Sequence, residues 1–183
     1  MAFPPLMDTA AVQDRLGDPA LIVLDASWYL PNSDRNAAAE YLAGHLPGAR
    51  FFDLDAASDH HTPLPHMLPT AEAFEAVARE LGVSAASTVV VYDGSGVNLS
   101  AARVWWMFRA FGHERVAVLD GGLGAWRSEG RPLERGVPRP CPRGDFRAVL
   151  QPGQVRSLAE MQAIVASRTA QVVDARPAGR FHG

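Results

Sequence analysis

Three short apolar runs decide what this chain can fold into. Residues 20–26 (ALIVLDA), 87–93 (STVVVYD) and 114–122 (ERVAVLDGG) carry their apolar residues consecutively rather than in alternation. A strand with one wet face alternates polar and apolar residues, whereas one apolar throughout is buried on both faces, as in a parallel sheet. Helical segments separate the runs. Asp8 can cap a short helix that reaches Leu16. TAEAFEAVARELGV (70–83) sets Phe74, Val77 and Leu81 at helical spacing before a Gly82 terminator. LSAARVWWMFRAFGH (99–113) reads as a helix ending near Gly112, and LGAWRSEG (123–130) as a short one. A polar stretch at 31–41 precedes GHLPGARFFDLD (44–55), where a further short strand is expected. Strands alternating with helices require crossover connections, so the fold class is α/β, a central parallel sheet flanked by helices.

Farther on the chain changes character. Pro138, Pro140, Pro142 and Pro152 stand among arginines, which marks an extended linker laid against the first domain. Beyond it Ser157 to Ala175 aligns without gaps on Asp8 to Ala26, and QVVDAR stands over IVLDAS. This is the signature of an internal repeat. The expected organisation is a first domain over 1–133, a linker over 134–153, and the start of a second copy over 154–183, with an apolar strand in AQVVDA (170–175). About 30 residues are too few to build a core of their own.

The formal net charge of −3 leaves no electrostatic footprint for nucleic acid or an anionic membrane. The single cysteine, Cys141, excludes an internal disulfide and any multi-cysteine metal pattern. The N-terminus lacks the pattern of a signal peptide, and no apolar stretch approaches the roughly 18 residues that span a bilayer. A cytoplasmic protein without cofactor or metal is the expectation.

Several segments together resemble the rhodanese family. HLPGARFFDLD is similar to its HIPGA signature. VVVYDGSGVNLSAARVWWMFRAFGH resembles the central strand, loop and helix of the N-terminal domain in tandem-domain thiosulfate and 3-mercaptopyruvate sulfurtransferases. VAVLDGGLGAWRSEGRPL resembles the closing GGxxxW signature, and the matching segments cover most of residues 6 to 133. VVDARPAGRF resembles the opening of the second, catalytic domain. The resemblance implies a three-layer domain and an enzyme that moves sulfane sulfur from 3-mercaptopyruvate or thiosulfate to a thiol or cyanide through a cysteine persulfide. It places that cysteine in the second domain, so these residues alone would be inactive. The alternative is a non-catalytic rhodanese-like binding or structural module.

The loop after the 87–93 strand lies at the carboxyl edge of the sheet. There its N–H groups and the following helix favour an anion. A cysteine there would sit as a thiolate. Here the position holds Asp93, a fixed anion that holds the loop and cannot carry sulfur. Cys141, between prolines in the linker, does not replace it. Asp55 and His66 match an aspartate and histidine that, by the resemblance, handle protons facing the cysteine; by itself His66 reads as a loop histidine in a Pro-rich turn. Arg180 matches an arginine that binds the anionic donor, and its planar fork suits a carboxylate or thiosulfate; it reads equally as a solvated arginine. Trp105, Trp106 and Phe108 are core or interface residues, and Arg103 and Arg109 are expected to pair with acidic neighbours.

Overall fold

The computed structural model describes residues 3–183. The apolar runs become β2 (Leu21–Asp25), β4 (Thr88–Tyr92) and β5 (Val116–Leu119), and all pair in parallel. Two-residue strands β1 (Leu6–Met7) and β3 (Arg50–Phe51) close the edges, giving the order β1-β5-β4-β2-β3. In register, Val23 faces Val90 and Val90 faces Ala117. Every residue of β4 is buried, as its unalternating sequence requires.

Side chains of a strand point alternately to its two faces, so β4 feeds two cores. Val89 and Val91 join Phe74 of α3 (Ala71–Glu80) and Val104, Met107 and Phe108 of α4 (Leu99–Ala110). Val90 and Tyr92 join Val12 of α1 (Thr9–Asp14) and Leu123 and Trp126 of α5 (Gly122–Ser128). Helices thus cover both faces, and the expected α/β sheet is observed. Asp8 caps α1 and accepts from the Ala11 amide at 2.7 Å.

Up to Gln151, two elements escaped the sequence reading, and beyond it so did a short helix at Ala178–Phe181. β1 is too short to show a period. α2 (Ala37–Ala43) lies within the stretch read as polar, where Asn36 caps it by accepting from the Ala39 amide at 2.9 Å. The chain divides into one compact unit up to Gln151 and another from Pro152. In the first, residues 144–151 run as a strap. The amides of Gly144, Phe146, Val149 and Gln151 donate to the carbonyls of Arg79, Val83, Phe111 and Ala110. The Phe146 ring enters the α3/α4 core, 3% exposed. In the second unit, α6 (Leu158–Ser167) starts at a capping box of Ser157 and Glu160, and α7 (Ala178–Phe181) follows. The strand expected in 170–175 is absent: the segment forms no ladder. A strand exists through its hydrogen bonds to a neighbour, and no strand is found in residues 152–183 to pair with it.

Candidate functional site

β2 and β4 end side by side, and the chain turns out of each at a buried carboxylate. After β4 comes Asp93, 0% exposed. One of its oxygens accepts from the Ser95 amide and hydroxyl at 2.9 and 2.6 Å. The other accepts from the Ser100 hydroxyl and the Ala101 amide, both at 3.0 Å. The loop 94–98 and the first turn of α4 are therefore wrapped around this carboxylate. Asn98 enters the helix at φ 53 and donates to the Leu119 carbonyl at 3.2 Å. Gly122 packs so close that a Cβ there would lie 2.5 Å from Asn98 Oδ1 and 2.9 Å from the Asp93 carbonyl oxygen. Asp93 is saturated with donors, as expected for an anion that holds its loop.

At the end of β2, Asp25 accepts from the Ser27 amide at 2.9 Å and the Ser27 hydroxyl at 2.5 Å. Ser27 Oγ in turn accepts from the Gly94 amide at 2.9 Å, which ties the two strand ends together. Burial pushes the Asp25 carboxyl above its ordinary range, against the hydrogen bonds from Ser27. Burial likewise raises the neighbouring Tyr92 phenol. Beside them opens a cavity of about 250 Å³, lined among others by Ser27, Trp28, Tyr29, Arg35, Asp53 and Asp55. Arg35 lies over the Tyr29 ring, 3.7 Å from its centroid, pairs with Glu40 at 2.5 Å, and donates to the Gly94 carbonyl at 3.2 Å. Burial and the Glu40 carboxylate push the Tyr29 phenol up to about 12.

Asp55 and His66 are brought together. Imidazole Nε2 meets Asp55 Oδ1 at 2.7 Å. Trp28 completes the group: its indole N–H donates to both Asp55 oxygens at 3.1 Å, and its ring meets His66 edge to face with centroids 4.6 Å apart. The His66 side chain is 25% exposed and that of Asp55 68%, so the pair is open to a reactant. No sequence signal pointed to Trp28, which lies 27 residues before Asp55 in the chain.

Arg180 lies on α7 of the second unit. Cys141 is half-buried on the strap side of α3, with its thiol directed at the Glu80 carbonyl at 3.6 Å. The acidic partners expected for Arg103 and Arg109 are not found among the described residues: both guanidiniums lie instead over tryptophan rings, Trp106 at 4.6 Å and Trp105 at 5.6 Å. In each pair the arginine and the indole stand three or four residues apart on α4, so they share one side of the helix.

Residues 8–129 match the model of the rhodanese-like domain. The chain is 51% identical to human 3-mercaptopyruvate sulfurtransferase over 170 residues, which is 92% of this chain and 57% of the relative. It is 45% identical to the Escherichia coli K12 enzyme of the same name, covering 92% of this chain and 60% of that protein. The crystal structure of SseA, a 3-mercaptopyruvate sulfurtransferase from Escherichia coli, superposes with a TM-score of 0.90 at 43% identity, over 97% of this chain and 67% of that one. Yeast Tum1 superposes with a TM-score of 0.87 at 29% identity, over 100% and 64%. The chain thus spans about three fifths of the length of the curated relatives it matches.

Proposed function

The chain belongs to the family of rhodanese-like domains, and on that premise we propose that it is the N-terminal part of a sulfurtransferase acting on 3-mercaptopyruvate or thiosulfate. The observation that carries the reading is the strand–loop–helix turn at Asp93. Its backbone is shaped around an anion, and the anion is a carboxylate that cannot form a persulfide. The first domain then supports the reaction, while the sulfur-carrying cysteine belongs to the part of its relatives' length that this chain does not span. In the reaction a thiolate attacks the donor's outer sulfur. With 3-mercaptopyruvate the carbon–sulfur bond breaks, the electron pair stays on carbon as the enolate of pyruvate, and a proton must be supplied there. The persulfide sulfur then passes to a thiol or to cyanide. His66, aligned by Asp55 and open to solvent, is the residue here suited to deliver that proton. Arg180, at the opening of the second repeat, is assigned to the donor's anionic end. On this reading residues 1–133 are the first domain, 134–153 the linker and 154–183 the start of the catalytic domain, and the protein works in the cytoplasm.

Two samples test the proposal: the purified 183-residue chain, and the protein translated to the end of its reading frame. The short chain should transfer no sulfur from either donor to cyanide or a thiol. The longer one should transfer it and show a persulfide on a cysteine beyond residue 183. Transfer by the short chain that survives Cys141→Ser would refute the reading. A longer protein that is inert with both donors would favour a non-catalytic module.

A further inference from the structure

His66 has φ +52. A residue with a Cβ holds this left-handed conformation only where its surroundings over-determine it. The strongest of those surroundings is Arg103, which reaches out of α4 and donates a guanidinium N–H to the His66 carbonyl at 2.7 Å. Arg103 is unusual in its own right. Its Nε is buried without a hydrogen-bond partner, and no carboxylate pairs with it among the described residues. Burial lowers its pKa, a sign that its charge is poorly solvated. Such a cation costs solvation energy that a plain packing residue would not. Its plane rests on Trp106 and its one strong directional bond goes to the turn bearing His66. The helix behind it is anchored in the core by Val104 and Met107, which are 0% and 1% exposed.

We propose that Arg103 is a positioning residue for His66: by clamping the His66 carbonyl from α4, it holds the left-handed turn that aims the imidazole at Asp55. This rests on the proton-handling reading of the His66–Asp55 pair given above. Arginine suits the task because its planar fork can stack on an indole and donate sideways at once, and because it stays charged at any working pH. Trp28 fixes the other half of the pair by holding both Asp55 oxygens. The two clamps come from distant parts of the domain sequence and converge on one hydrogen bond.

The test follows the histidine ring signals of the purified chain by proton–carbon correlation spectra, in wild type, R103M and R103K. R103M keeps an apolar stem and loses every donor. The His66 signals should leave the position set by the Trp28 ring for that of a free histidine. Buried His45 and His113 should not move, which certifies the fold. R103K, with a cationic donor, should recover part of the difference. Unmoved His66 signals in folded R103M overturn the proposal. If R103M fails to fold, the wild type decides: resolved, slowly rotating Arg103 Nη protons are expected, and one averaged guanidinium signal overturns it. These readouts need no turnover, so they stand or fall apart from the sulfurtransferase reading. Where the full-length protein turns over, R103M should lower kcat about tenfold at unchanged KM, as a small misplacement of a proton donor does. It should add nothing in an H66A background. Independent, multiplying losses would overturn the proposal.

Discussion

Asp93→Asn replaces the carboxylate at the centre of the loop by an amide of nearly the same shape. Two bonds reach each Asp93 oxygen, one from a backbone N–H and one from a serine hydroxyl. Whichever way the amide is turned, its NH₂ faces a backbone N–H, that of Ser95 or that of Ala101. The serine hydroxyl beside it can reverse and accept, but the backbone donor cannot, and it is left buried and opposed. Such an orphan costs about 1–3 kcal/mol, and the two surviving bonds lose charge assistance worth about 1 kcal/mol each. Part is returned, because a neutral amide is cheaper to bury than a carboxylate. The net loss should be about 3 kcal/mol, a sizeable share of the roughly 5–15 kcal/mol that holds a domain folded. Urea unfolding at neutral pH should show a lower midpoint at unchanged slope, and Tm should fall by about 10 °C. A variant within about 0.5 kcal/mol of wild type would refute the view that this carboxylate organises the loop.

Phe146→Ala should cost about 3–5 kcal/mol by urea unfolding, the range for emptying a buried phenylalanine site, since the ring fills a gap between Phe74, Phe108 and His113. A loss under about 1 kcal/mol would mean the strap is not seated. His113 is held below its ordinary pKa of 6.5 by burial, so the unfolded chain binds its proton more tightly than the folded one. The stability this confers is complete above 6.5 and is lost as the pH falls through the lowered value, and His113→Gln should flatten that part of the urea-midpoint profile. Gly122→Ala should destabilise measurably, because φ is +55 there and the new methyl meets Asn98 and the Asp93 carbonyl. A neutral result in thermal unfolding would show that this contact relaxes freely.

The sheet was legible in the sequence because β2, β4 and β5 are apolar without alternation, a pattern that only two-sided burial explains. The Asp93 loop was legible for a related reason: a parallel strand followed directly by a helix puts its turn at the carboxyl edge whatever the rest of the fold does. The pairing of Asp55 with His66 could be expected only through a family resemblance, since nothing in a Pro-rich stretch tells a reactive histidine from an idle one. The strap was harder. The prolines on either side of it read as linker, while the feature that matters, one phenylalanine threaded into the α3/α4 core, has no local period to reveal it.

What the chain determined by itself is thus what depends on neighbours in sequence: the strands, the helix caps at Asp8 and Ser157, and the loop around Asp93. What only tertiary structure decided is the site built from Trp28, Asp55, His66 and Arg103. They come from the segment after β2, two loop positions and the middle of α4. Neither the left-handed turn at His66 nor the carboxylate it meets is favoured by its own segment. Both are held by donors far away in the chain, Arg103 and Trp28, and such contacts leave no local pattern in the sequence.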